Sequence, residues 1–261
     1  MNMFSGCAAA YYQRYICGIK TPPGVALLIG TGLHGGAELN LRQKIETRQD
    51  LPLSDVKDAA ATAFESRLAE DGVFMTKEEK EISDQLLGEA KDKTVQMVGV
   101  FHKSASPMIQ PVAVEEEVSF TRENLPDVVF HGILDVIEEN DDVLDIKSSK
   151  ARWPDAKAEN EIQPSFYLPG AQELGKKPKN FVYHVITKAK TPVHQVVTTT
   201  RDESDLIALE QRARVMMACI SAGLFPPCEP DHWRCSPKWC GYFMNCKFKS
   251  ERDKNKYFSA A

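Results

Sequence analysis

The placement of cysteine constrains this chain more than any other feature. Cys7 and Cys17 lie near the start, Cys219, Cys228, Cys235, Cys240 and Cys246 lie near the end, and none lies between. No stretch approaches the roughly 20 apolar residues of a membrane-spanning helix. The opening MNMFSGCAAAYYQRYICG is interrupted by Arg14 and three tyrosines, so it lacks the basic-then-apolar order of a secretory signal. The chain therefore reads as cytoplasmic, where a disulfide framework is not maintained. Cysteines gathered at the two ends then need another purpose.

Composition narrows the class. With 43% apolar and 26% charged residues, disorder, collagen and simple coiled coil are excluded. The 261 residues allow one large domain or two small ones with a sizeable core. A net charge of −5 argues mildly against coating nucleic acid by bulk charge, though not against handling it in a local cleft.

The hydrophobic period changes along the chain. Gly30, His34 and Glu38 recur every fourth residue after an apolar run, which places them on one helix face. Ser54 to Leu68 opens with a serine cap and continues with helix formers. Lys77 to about Val98 has apolar residues at helical spacing and reads as a third helix. From Pro111 to Phe120, Val128 to Glu139 and Val143 to Lys147 the segments are short and β-branched, as in strands. Asn140-Asp141-Asp142 is a hairpin turn between the last two. A helix around Ile162 to Leu174, a strand at Phe181 to Thr187, the segment QVVTTT and a helix from Asp202 to Ile220 come next. The predicted architecture is an α/β core with a helical N-terminal elaboration and a cysteine-rich C-terminal module.

Residues i and i+2 of a strand share a face, so Asp145 and Lys147 emerge together. A hairpin can bring Asp135 beside Asp145, giving two carboxylates and one ammonium on one surface. Hard cations such as Mg²⁺ take oxygen ligands of this kind and keep waters for substrate chemistry. A lysine beside such a metal can help deprotonate an attacking water or offset charge on a phosphorane. An Asp-x-Lys triplet alone is uninformative; its surroundings give it weight.

Those surroundings run in a fixed order: His34 on an early helix, Gly132-x-x-Asp135, Asp145-x-Lys147, then Gln163-x-x-x-Tyr167 on the next helix. This order resembles the RecB-like branch of the PD-(D/E)XK nuclease superfamily, which includes CRISPR-adaptation and phage-encoded exonucleases. The ITKAKTP stretch also looks like the phage members. The resemblance implies a restriction-endonuclease-like core, a mixed central sheet flanked by helices. It implies one nuclease domain over residues 1–261, with a helical part at 1–105, the core at 106–222 and a cysteine-rich module at 223–261. It implies that His34, Asp135, Asp145 and the backbone carbonyl of Ile146 ligate Mg²⁺ or Mn²⁺. Asp135, Asp145, Lys147, Gln163 and Tyr167 become the catalytic set, the last two orienting the site or contacting DNA. Some relatives carry an acidic residue on the preceding strand, so either Glu116 or Glu117 is expected to point inward. Pro164 is tolerable in a first helical turn, but Pro169 is expected to kink or end the helix.

The same branch opens with Cys-Pro-x-x-Tyr-x-x-x-Tyr, and Cys7, Tyr11 and Tyr15 match it with Ala8 in place of the proline. Cys240-x5-Cys246 resembles its last two cysteines, while Pro237 stands where the usual Cys-x-x-Cys has a cysteine. The resemblance implies a 4Fe–4S cluster held by Cys7, Cys235, Cys240 and Cys246, with Cys228 in reserve, closing the module on the N-terminus. Zinc on four cysteines, or on three with His232, competes. Cys17 and Cys219 fit small buried hydrophobes best. Lys150, Arg152 and Trp153 come just after the active strand and are placed to meet substrate. Basic residues interleave with aromatics between Arg234 and Lys256, a mix that suits single strands, although most of those aromatics are expected to pack around the metal.

The expected function is metal-dependent hydrolysis of DNA phosphodiester bonds by an exonuclease acting on single strands or ends, in a bacterial or phage-infected cell. No P-loop is present, so unwinding would come from a helicase, recombination or CRISPR-adaptation partner. Two other readings stay open: a non-catalytic DNA-binding or complex-forming protein of the same fold, and a zinc-stapled interaction protein.

Overall fold

The structure is a computed structural model that describes residues 1–154 and 156–250. In chain order its helices are α1 (Asn2–Gly6), α2 (Ala8–Tyr11), α3 (Val25–Thr47), α4 (Leu53–Asp71), α5 (Lys77–Glu81), α6 (Ser83–Val100), α7 (Ala156–Asn160), α8 (Gln163–Glu173) and α9 (Glu203–Ser221). The strands are β1 (Pro111–Arg122), β2 (Leu125–Glu138), β3 (Val143–Ser149), β4 (Phe181–Thr187) and β5 (His194–Thr199). By internal contacts the chain forms two units. One combines residues 1–25, 71–83 and 211–261; the other combines residues 26–70 and 84–210.

The second unit holds a five-stranded sheet in the order β1-β2-β3-β4-β5. It is mixed: β3 and β4 run parallel, and the other neighbouring pairs are antiparallel. A tight turn at Glu123-Asn124 joins β1 to β2, and the Asn140–Asp142 turn joins β2 to β3 with Asp141 at φ 68°. Asp142 also accepts bonds from the backbone N–H and side-chain amide of Asn180, both at 2.9 Å, which seats the entry to β4 beside that turn. The parallel step from β3 to β4 needs a long crossover, supplied by α7 and α8. It sets Asp145 opposite Tyr183 and Lys147 opposite Val185.

Leu134, Ile137, Val143, Phe181, Tyr183 and Val185 pack with Leu168 and Ala171 of α8 into one core cluster. Strict alternation would send Leu134 and Ile137 to opposite faces. Both line the same cluster, so the period slips between them. The slip lies opposite Glu115, whose φ of 52° is in the left-handed region that non-glycine residues rarely visit.

Two segments differ from the expectation. The third helix is two helices, α5 and α6, broken at Ile82 (φ −120°, ψ 27°), and α5 carries its own capping box from Thr76 to Glu79. Helix α8 runs on through Pro169, which forgoes only the bond its own N–H would have made to the carbonyl one turn back.

In the first unit, the N-terminal segment packs on the tail. Ala9 N–H donates to the Pro226 carbonyl at 3.1 Å, and the Tyr242 hydroxyl donates to the Ile19 carbonyl at 2.9 Å. Phe225 packs against the rings of Phe4 and Tyr12. No helix among the described residues is long and apolar enough to cross a membrane.

Candidate nuclease site and cysteine cavity

His34 projects from α3 toward Asp135 near the end of β2, with Nδ1 3.5 Å from Asp135 Oδ2. Glu115 of β1 joins them. One ligand atom from each of His34, Glu115 and Asp135 lies within 4.8 Å of the others, the one group so close among the described residues. Burial, then the charges of Asp135 and Glu38, push the Glu115 carboxyl above its ordinary value. Like charges converging on a histidine are costly until a cation joins them.

The next strand adds the second half of the site. Asp145 keeps 2% of its surface exposed. Its Oδ1 accepts from Lys147 Nζ at 2.6 Å and from Gln163 Nε2 at 3.2 Å, while Oδ2 is buried without a hydrogen-bond partner. Burial, then the charge of Asp135, raises the Asp145 carboxyl to about 7 against the opposing pull of Lys147. The N–H of Ile146 donates to Asp135 Oδ2 at 3.0 Å, locking β3 to the acidic end of β2. The Ile146 side chain itself is buried.

Gln163 opens α8 and Tyr167 comes one turn later, so both reach the same side of the helix. The Tyr167 ring lies over Gly132, where a Cβ would come within 2.8 Å of its Cε1. Glycine at 132 is therefore a packing requirement of the tyrosine. Burial raises the Tyr167 hydroxyl, opposed by its hydrogen bond with Gln163. Tyr183, facing Asp145 across β3 and β4, is fully buried with an unpartnered hydroxyl.

His34, Asp135, Asp145, Lys147, Gln163 and Tyr167 thus converge. Glu115, rather than Glu116 or Glu117, is the acidic residue of β1 that joins them, because the left-handed residue breaks the alternation on which the expectation rested. Tyr183 also went unforeseen: nothing in FVYHVIT separates it from an ordinary core tyrosine. Lys150 and Arg152 are exposed after β3. Trp153 differs from its expected place. Its ring lies in the core cluster 4.8 Å from Tyr183, and Gln195 holds its backbone at 2.8 and 2.9 Å.

In the first unit, Cys7, Cys228, Cys235, Cys240 and Cys246 line a cavity of about 930 Å³. The Cys228 thiol is pushed up to about 12 by burial and by its neighbours Cys7 and Cys235. Burial, then Cys7, Cys246 and Cys235, raises Cys240 against a backbone hydrogen bond. Cys219 also lines this cavity, and Cys17 is exposed.

A search of curated proteins gave no match. Among solved structures, a protein from Eubacterium rectale provisionally named an exonuclease is 11% identical, with a TM-score of 0.46 over 78% of this chain and 77% of that one. A second, SSO0001, is 17% identical, with a TM-score of 0.38 over 82% of this chain and 96% of that one. Neither superposition carries the assignment. The sequence pattern of one family spans residues 1–247, and on that match this chain belongs to the PD-(D/E)XK nuclease superfamily.

Proposed function

We propose that the chain is a divalent-metal-dependent deoxyribonuclease that hydrolyses phosphodiester bonds, acting as an exonuclease on single strands or ends. One observation carries this reading. Asp145 is buried with an unpartnered oxygen, next to a lysine and beside three further ligand-type side chains. A buried carboxylate oxygen with no donor is costly unless a cation completes it. The donor set of carboxylates and one imidazole suits Mg²⁺ or Mn²⁺. His34, Glu115, Asp135 and Asp145 would hold the ion, with the Ile146 carbonyl as a further ligand. When bound, it supplies Lewis-acid polarisation of the scissile phosphate and acidification of a water.

The chain's own groups do the rest. Lys147, pinned by Asp145, holds an ammonium at the edge of the site, where it orients the attacking water and offsets charge growing on the phosphoryl oxygens. Gln163 fixes the rotamer of Asp145 through their hydrogen bond, and Tyr167 steadies Gln163. Lys150 and Arg152 offer exposed cations to the DNA backbone.

For the cysteine cavity we propose a 4Fe–4S cluster on Cys7, Cys235, Cys240 and Cys246. All four line one cavity, and four thiolates are the usual ligand set of such a cluster.

The test is degradation of end-labelled single-stranded DNA in Mg²⁺ or Mn²⁺. Asp145→Ala and Lys147→Ala should each reduce the rate at least 100-fold, the scale of a lost electrostatic stabiliser. Cleavage that survives both would end the mechanism, and DNA binding without any cleavage would point to a non-catalytic relative.

A further inference from the structure

Two tryptophans that line the cysteine cavity are only partly packed. Trp233 and Trp239 keep 58% and 57% of their surface exposed, with their rings edge to face at 5.7 Å. Exposed faces of this size forgo about 25 cal/mol for every Å² left in water, so packing does not explain them. Each ring has one cation near it. The Arg234 guanidinium lies 5.0 Å from the Trp233 centroid, and Lys238 Nζ lies 5.6 Å from that of Trp239. Lys247 Nζ stands 5.1 Å from the ring of Phe248, which is also exposed.

Among the described residues nothing neutralises these cations. Among the described residues Arg234, Lys238 and Lys247 have no ion-pair partner, and no Asp or Glu occurs from His232 to Lys249. The geometry is braced as well. His232 stacks on Trp233 at 5.7 Å and accepts a bond from the Arg234 N–H at 3.2 Å, and the Arg234 guanidinium fills the space over Gly6, where a Cβ would collide with it.

We infer that Trp233 and Trp239, with Arg234 and Lys238, form a stacking platform for single-stranded nucleic acid on the cysteine-bearing unit. Unpaired cations match phosphates, and exposed aromatic faces match unstacked bases. A duplex, whose bases are already stacked, uses only the cations. The choice of nucleic acid over other anionic partners rests on the proposed nuclease reading; the platform itself rests on the rings and charges.

The experiment is a titration of the whole protein in EDTA with unlabelled oligo-dT, read by tryptophan fluorescence. Of the three tryptophans Trp153 is buried, so quenching reports on Trp233 and Trp239. Quenching by oligo-dT and not by a duplex of equal length is expected. The paired variants lack the reporting rings and are read instead by the anisotropy of fluorescein-labelled oligo-dT: Trp233→Ala with Trp239→Ala should weaken binding at least tenfold, and the paired Phe substitutions should retain most of it, which separates lost stacking from lost folding. Arg234→Ala with Lys238→Ala should flatten the dependence of log affinity on log salt by about 1.4, at about 0.7 per phosphate contact. Absence of quenching, or unchanged affinity in the Ala pair, overturns the platform. A fluorescence response to phosphatidylglycerol vesicles but not to oligo-dT overturns it in favour of a membrane surface. Because no cleavage occurs in EDTA, the outcome is independent of the cleavage assay. Binding with quenching but no hydrolysis leaves the platform standing without the nuclease reading, and hydrolysis with unquenched binding does the reverse.

Discussion

Asp145 sits where ionisation destabilises the fold. Burial and the Asp135 charge raise its carboxyl from the ordinary 3.8 to about 7, so the folded chain holds a proton there that the unfolded chain has lost. A raised carboxyl contributes its full stability below pH 3.8 and loses it as the pH climbs through about 7. Without metal, Asp145→Asn should therefore be more stable than the parent at pH 8 by roughly 2–4 kcal/mol, and near parity at low pH. Urea denaturation in EDTA at pH 4 and pH 8 measures this. Equal stabilities at pH 8 would mean that Asp145 is ionised at no cost. Excess Mg²⁺ should reverse the order, because only the parent's folded state gains from binding the ion.

At the scale of elements, the site depends on how α3 is anchored beyond His34. Lys44, the one buried lysine among the described residues, donates to Asp50 Oδ1 at 3.0 Å and to the Ser106 carbonyl at 2.7 Å. Asn40 donates to Asp50 and Ser106 at 2.8 and 2.7 Å and accepts from the Leu51 N–H at 2.8 Å. Burial tends to raise the Asp50 carboxyl, but Ser106, Asn40 and Lys44 together hold it below its usual range. Removing the lysine leaves a partly buried carboxylate and a buried carbonyl without their cation. Lys44→Met should cost about 3–5 kcal/mol, seen as a lower urea midpoint with an unchanged slope. A shift under 1 kcal/mol would mean that the network is dispensable.

Much of this arrangement was legible in the chain. Strand alternation plus one turn puts Asp135, Asp145 and Lys147 on one surface, and helical spacing puts Gln163 and Tyr167 on one face, while the family resemblance is what singles these residues out. Both periods are local, so a sequence displays them. Glu115 could not be read this way, since one left-handed residue shifts the face of every later residue in the strand and no residue type marks it. Trp153 was misplaced because being next to the active strand says nothing about which way a ring turns. Pro169 is expected to kink or end the helix, yet α8 does not end there and continues to Glu173 at the loss of one hydrogen bond.

The whole molecule divides its chemistry between two units, and the cysteine-bearing one has few regular elements from Gly223 onward. Its order is then expected to come from metal as much as from packing. Anaerobically purified protein should show a broad absorbance near roughly 400 nm, with iron and sulfide at about four each per chain. Ser at Cys7, Cys235, Cys240 or Cys246 should abolish it, and Cys228→Ser should retain it. A colourless protein containing zinc would replace this assignment, and loss of the band on Cys228→Ser would make that residue a ligand.

The way these units are cut from the chain has a consequence in time. The sheet-bearing unit is finished once Glu210 has been translated, so it can fold while the ribosome is still at work, at roughly 5–20 residues per second. The other unit draws on residues 1–25 and 71–83 yet also needs residues after 210, so its first segments must wait for partners not yet synthesised. Cys7 then passes most of translation apart from Cys235, Cys240 and Cys246, and the proposed cluster could be loaded only afterwards. With the proposed iron–sulfur cluster, newly made chains starved of iron should accumulate with the sheet-bearing unit folded and the other unit open to proteases.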